Sequence, residues 1–270
     1  MELYKSQLGQ DKWVLETLNY KKNGFYLEIG AADGVMCSNC YVLDKLYDWK
    51  GICFEPNKRC FKMLKHNRTA LLVNELLGKD KGKEVLFHCG DQISFVKNND
   101  HNLDINKFKK ILQKGNLEYK SYYLKTRLIS NILEDVKCPK VIDYISIDIE
   151  GMEYDVLSTF PFDKYHVNTI TVEHNAPHIG EGYRMRLRKL LTDNNMVFVK
   201  GNDQEYNELK PAAMALGSAF QKVNFLRDLK DDFQELNRTY FPSVNFDHFD
   251  ETSKSNIIRE IEHDFENALT

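Results

Sequence analysis

Phe25-Tyr26-Leu27-Glu28-Ile29-Gly30-Ala31-Ala32-Asp33-Gly34 reads as a short apolar strand running into a turn bounded by two glycines. The apolar run suits a buried strand, and Gly30 and Gly34 let the backbone fold tightly against a ligand. A second run, Gly51-Ile52-Cys53-Phe54, ends at Glu55, twenty-one residues past Gly34, and Pro56-Asn57 stops it and opens a helix. In a doubly wound sheet, ligands lie beyond the carboxyl ends of the strands where the strand order reverses. A carboxylate at Glu55 can there accept both hydroxyls of a ribose.

Working outward, helix-like and strand-like stretches alternate. Residues 6–19 carry Trp13, Val14, Leu15 and Leu18 at helical spacing, and a helix over roughly 39–47 carries Val42, Leu43 and Leu46. Strands are expected at 70–74, 84–89, near 122–125, at 141–148, 169–173 and 196–199, with helices over 130–136, 154–159 and 184–191. Residues 98–118 are polar and lysine-rich and read as an inserted, mobile excursion. The pattern predicts an α/β fold, a Rossmann-like doubly wound, mostly parallel sheet with helices on both faces. Past Asp203 the alternation fails. The expected organisation is one domain over 1–206, with an insertion at about 98–120, and a helical, aromatic-rich C-terminal extension over 207–270 through which a homo-oligomer could form.

Lys and Arg number 37 against 40 Asp and Glu, a net charge of -3, which disfavours nucleic acid as a partner. No apolar run is long enough for a membrane span, and the N-terminus lacks a signal peptide's apolar stretch. The six cysteines lack zinc-ligand spacing and read as reduced, partly buried thiols of a cytoplasmic protein.

A dinucleotide fingerprint wants G-x-G-x-x-G with room for a pyrophosphate. This turn reads Gly-Ala-Ala-Asp-Gly and carries acidic Glu28 and Asp33. Two carboxylates repel a pyrophosphate but suit a ligand bearing an ammonium and a sulfonium, so the charge favours S-adenosylmethionine over NAD.

Several ordered motifs together resemble an FkbM-type methyltransferase over roughly residues 6–206. They are Ser6-Gln7-Leu8-Gly9-Gln10-Asp11, the Tyr26–Gly34 stretch, Ser38-Asn39, Trp49–Pro56, Ile147-Asp148-Ile149-Glu150-Gly151-Met152-Glu153 and Glu173-His174-Asn175. The resemblance implies a class I methyltransferase fold and methyl transfer to oxygen, often on a sugar or secondary metabolite. It departs from the wider class I pattern at Ala32, where a middle glycine is common. It implies that Glu28, Gly30 and Asp33 line the methionine part of the cofactor, with Ala31 and Gly34 in the same turn. Glu55, followed by Pro56, would take the ribose. Ser38 and Asn39 would support the loop or touch the cofactor carboxylate, and Asn74, Asp91 and Ser94 sit where adenine contacts are expected. Each polar residue here could equally stabilise a loop.

Two acidic clusters, Asp148, Glu150 and Glu153, then Glu173, His174 and Asn175, fall at expected strand ends. The first reading is that Asp148, Glu150 and His174 hold and deprotonate an acceptor hydroxyl. The second is that Asp148, Glu173 and Asn175 bind Mg²⁺ or another divalent cation, an arrangement similar to that of catechol O-methyltransferases. The third is a purely structural role where the Gly151 turn starts a helix. A nucleic-acid methyltransferase, lacking its Asn/Asp-Pro-Pro-aromatic sequence here, and a non-catalytic Rossmann-like binding protein are the competing functions.

Overall fold

The computed structural model describes residues 4–90, 93–96, 105–114, 117–174, 180–199 and 251–269. The chain forms two compact units, residues 1–198 and 199–270.

The first unit opens with α1 (Gln10–Thr17), β1 (Phe25–Ile29), α2 (Tyr41–Leu46), β2 (Lys50–Phe54), α3 (Lys58–Asn67) and β3 (Leu71–Val73). After an excursion described below come α5 (Ile129–Asp135), β8 (Val141–Ile147), α6 (Glu153–Leu157), β9 (His166–Val172) and α7 (Glu181–Asp193). The five strands form one sheet in the order β3-β2-β1-β8-β9, and every pairing is parallel. Helical crossovers impose that parallel arrangement. The side-chain period of two then serves two cores. Leu27, Ile29, Ile52, Phe54, Ile145 and Ile147 pack with α5 and α6 on one face, while Tyr26, Cys53 and Tyr144 pack with α1, α2 and Leu64 of α3 on the other. The order reverses between β1 and β8, which makes their carboxyl ends the place for a ligand.

The excursion is β4 (Leu76–Leu77), β5 (Glu84–Gly90), β6 (Ile93–Val96), α4 (Ile105–Lys114) and β7 (Lys120–Arg127). Its strands form a second sheet, β4-β7-β5-β6, antiparallel except for β4 with β7. Strands expected at 84–89 and 122–125 are therefore present, but outside the parallel sheet. Half-buried Tyr122 and Leu124 alternate with exposed Ser121, Tyr123 and Lys125, the pattern of a sheet with one packed face. The lysine-rich segment read as a mobile excursion contains α4, which sets Phe108 and Leu112 against Phe95. Its apolar residues at i, i+3 and i+7 outweigh the lysines between them.

The expected strand at 196–199 is absent. Val197 is 81% exposed and pairs with no strand among the described residues; an apolar run without a partner has no ladder to join. In the second unit, α8 (Glu251–Leu269) buries Ile257 and Ile261, one turn apart. The aromatic residues of the expected extension, Phe220 to Phe249, lie outside the described residues. Among the described residues no helix is long and apolar enough to cross a membrane. All six cysteines are free, and Cys37 is the exposed one.

Candidate active site

Strand register builds the site. Phe54, Ile29, Ile147 and Val172 stand in one row across β2, β1, β8 and β9. The next residue on each strand is Glu55, Gly30, Asp148 or Glu173, so three carboxylates and a glycine line the carboxyl edge of the sheet. The backbone ladder holds this extra row: Glu55 N–H donates to Val73 O, Asp148 N–H to Ile29 O and Glu173 N–H to Ile147 O, each at 3.0 Å. Gly30 has φ +90°, and a Cβ there would fall 1.8 Å from Asp148 O, so only glycine lets the turn and the acidic strand end touch.

A cleft of about 280 Å³ opens above this row. The turn contributes Gly30, Ala31, Ala32 and Ser38; β2 and its exit contribute Phe54, Glu55 and Pro56. The second sheet supplies a wall of Phe87, Ser94 and Val96, and Asp148, Glu150, Met152 and Glu173 close the remaining side. Gln7 reaches the cleft from a segment that Asp11 folds back, its carboxylate accepting from the backbone N–H of Lys5 and Ser6.

Glu55 is 5% exposed. One oxygen accepts from Ala32 N–H at 2.8 Å and the other from Asn57 N–H at 2.7 Å. Burial pushes its carboxyl up to about 7, against the pull of these two bonds. A carboxylate has about four lone-pair sites, so two remain for a ligand. Asn74 does not line the cleft; its amide donates to Glu55 O and Pro56 O and shapes that exit. Ser94 Oγ accepts from Asn57 Nδ2 at 3.1 Å, which ties the start of α3 to the second sheet.

Other expected cofactor residues face elsewhere. Glu28 is 3% exposed and accepts from Ser38 Oγ, Cys40 N–H, Cys53 Sγ and Arg68 Nη1. Those four donors fill it, so it belongs to the interior and not to the cleft lining. Asp33 Oδ1 accepts from Val35 and Met36 N–H and closes the turn. Gly34 lies beneath the turn against α3. Asn39 Nδ2 donates to Ser146 Oγ at 2.8 Å under the sheet edge. Asp91 and Asn175 lie outside the described residues.

Asp148, Glu150 and Glu173 each present a carboxylate oxygen, all within 4.8 Å of one another. Burial first, then a hydrogen bond to Glu173 and the charges of Glu173 and Glu150, hold the Asp148 carboxyl well above its usual range. Like charges so close oppose ionisation of the Asp148 carboxyl. Glu153 departs from the expectation of a chemical cluster. It is fully buried and accepts from Ile149 N–H, Gly151 N–H and Tyr183 OH of α7. It braces a loop in which Glu150 has φ +55°, a costly conformation for a side chain other than glycine. His174 is half-buried and does not line the cleft.

Residues 28–207 match the family described as Methyltransferase FkbM domain. The chain belongs to this family. The match takes in the whole first-sheet site and the second sheet, and among the described cleft-lining residues only Gln7 falls outside it. Residues 194–269 match the family described as squalene/phytoene synthase, over less than a third of the chain. Comparisons with curated proteins and with solved structures give no match. For this FkbM-family methyltransferase, the sequence reading missed Glu75, which lines the cleft and pairs with Arg127 at 3.1 Å, and the wall of Phe87 and Val96. Glu75 follows Asn74 at the end of β3, and its place after a strand was the available signal.

Proposed function

We propose that this methyltransferase uses S-adenosylmethionine and methylates a hydroxyl of a carbohydrate or small metabolite. The observation that carries the reading is Glu55, a cleft carboxylate at the end of β2 with half of its acceptor sites still open. The rest of the donor set fits. Five carboxylates line the cleft, those of Glu55, Glu75, Asp148, Glu150 and Glu173, and its described lining contains no lysine, arginine or histidine. Such a surface suits a sulfonium and an ammonium and opposes a pyrophosphate.

S-adenosylmethionine, when bound, supplies a methyl group on a positively charged sulfur. Glu55 accepts from the ribose hydroxyls, and the backbone of Gly30 and Ala31 packs against the ligand. Phe87 and Val96 keep water from that side. Asp148 and Glu150 flank the acceptor hydroxyl, orient its oxygen and provide the carboxylate that takes its proton on methyl transfer; for a single in-line displacement, orientation supplies much of the acceleration. His174 stands outside this set. The Asp148, Glu150 and Glu173 oxygens also form a donor set suited to Mg²⁺, which would supply a lowered pKa at the substrate hydroxyl.

Calorimetry with S-adenosylmethionine, S-adenosylhomocysteine and NAD tests the cofactor: the sulfur ligands bind and NAD does not. Binding of NAD alone would sink the proposal. Methyl transfer to a panel of glycans and hydroxylated metabolites, with EDTA or added Mg²⁺, then tests acceptor and cation. Turnover that survives chelation removes the cation from the mechanism.

A further inference from the structure

Arg68, the residue that ends α3, has a side chain with no exposure and sits directly beneath the Gly30–Asn39 turn. Its Nη1 donates to Glu28 at 2.8 Å, to Gly34 O at 3.1 Å and to Ser38 Oγ at 3.1 Å. Its Nε donates to Asp44 of α2 at 2.7 Å, and its Nη2 to the Tyr26 hydroxyl at 2.6 Å. The neighbouring Asn67 donates from Nδ2 to Asp33 O at 2.8 Å. Two consecutive residues thus grip the turn from below at Asp33, Gly34 and Ser38.

The second glycine of the turn answers to this grip. Gly34 has φ +79°, and a Cβ there would lie 2.5 Å from Leu64 Cδ1 and 2.7 Å from Arg68 Cγ. Gly34 therefore leaves room for Arg68 and α3 and is no part of the cleft lining. Glu28 belongs to the same device, for its remaining acceptor sites are taken by Ser38, Cys40 and Cys53.

We infer that Arg68 is a positioning residue for cofactor binding: with Asn67 it clamps the turn, and Glu28 acts on the cofactor without touching it, by holding Arg68 and the turn residues Ser38 and Cys40. This rests on the reading of the cleft as an S-adenosylmethionine site. Arginine suits the task because its planar fork serves several acceptors in fixed directions while staying charged.

The test is a double-mutant cycle on the full chain, with dissociation constants for S-adenosylhomocysteine measured by calorimetry at a temperature where circular dichroism shows every variant folded. Arg68→Met is expected to weaken binding by at least about tenfold, Arg68→Lys by less, and Asn67→Ala by a few-fold. Glu28→Gln is expected to weaken binding in the wild-type background and to weaken it by a clearly smaller factor in the Arg68→Met background. Asp143→Asn is the purely structural control. It breaks the ion pair of buried Asp143 with exposed Lys21 (2.6 Å) at the other end of β8 and should lower thermal stability without changing affinity. If Arg68→Met does not fold, Arg68→Lys and Asn67→Ala carry the test.

Wild-type affinity in folded Arg68 and Asn67 variants would overturn this inference alone. So would a Glu28→Gln effect that adds fully to that of Arg68→Met, because the two residues would then not act as one device. A wild-type chain that does not bind S-adenosylhomocysteine would overturn the cofactor reading and this inference with it.

Discussion

Glu28 stands one residue before the end of β1, and Glu55 one residue after the end of the adjacent β2. Both are buried carboxylates, and their surroundings are opposite. Glu28 is filled by four protein donors, including a buried guanidinium; Glu55 holds two backbone N–H groups and faces the cleft. The acidic loop repeats the division. Glu153 is spent on backbone amides and Tyr183, while Asp148 faces Glu150, Glu173 and the cleft. A carboxylate whose acceptor sites are filled holds a loop, and one with open sites is available to a ligand.

Substitutions can break that division. Asp148→Asn should lower kcat by about 100-fold or more, the range for a lost acid–base group, with thermal stability nearly unchanged. An equal loss from Glu153→Gln with no change in stability would erase the distinction. Glu55→Ala should weaken S-adenosylmethionine binding by about 100-fold, as expected for two lost hydrogen bonds to a charged group; calorimetry reads this directly. Glu28→Gln should show itself first in stability, with a cost of about 3 kcal/mol for leaving Arg68 without its partner, measured by urea unfolding. A stable Glu28→Gln chain would mean that Asp44 alone satisfies the guanidinium.

The smallest effect is a pH dependence. The Glu55 carboxyl titrates at about 7 in the folded chain, above its ordinary 4.5. Ribose hydroxyls favour the ionised form, so affinity should fall as pH drops below about 7 and level off above it, and Glu55→Gln should flatten the profile. For stability the sign is the reverse of a salt-bridged acid. The folded chain binds the extra proton between the unfolded and folded values, so this group costs stability as pH rises from about 4.5 to 7. An affinity profile unchanged by Glu55→Gln would assign the titration to another group.

Much of this was legible in the residues. The alternation of strands and helices, the turn and the carboxylate after β2 follow from local pattern. Glu28 was legible too, in a way easily overlooked. It alternates with Leu27 and Ile29 and shares a face with Tyr26, which puts it beneath the helices, and a buried carboxylate there needs a donor. That donor lies forty residues away, and no local spacing points to it. The second sheet was hidden for a related reason, since its pairings join β4 to β7 and β7 to β5 across α4. The helix α4 was masked by composition, although Ile105, Phe108 and Leu112 mark its packed side.

The contact between Gly30 and Asp148 O has a mechanical consequence. The turn and the acidic strand end, proposed to take the methyl donor and the acceptor, meet backbone to backbone. No side chain that could rotate stands between them. On that proposal, the distance between the two reactants is tied to the hydrogen-bonded spacing of β1 and β8. The second-sheet wall of Phe87 and Val96 can change with the acceptor while that gauge stays the same.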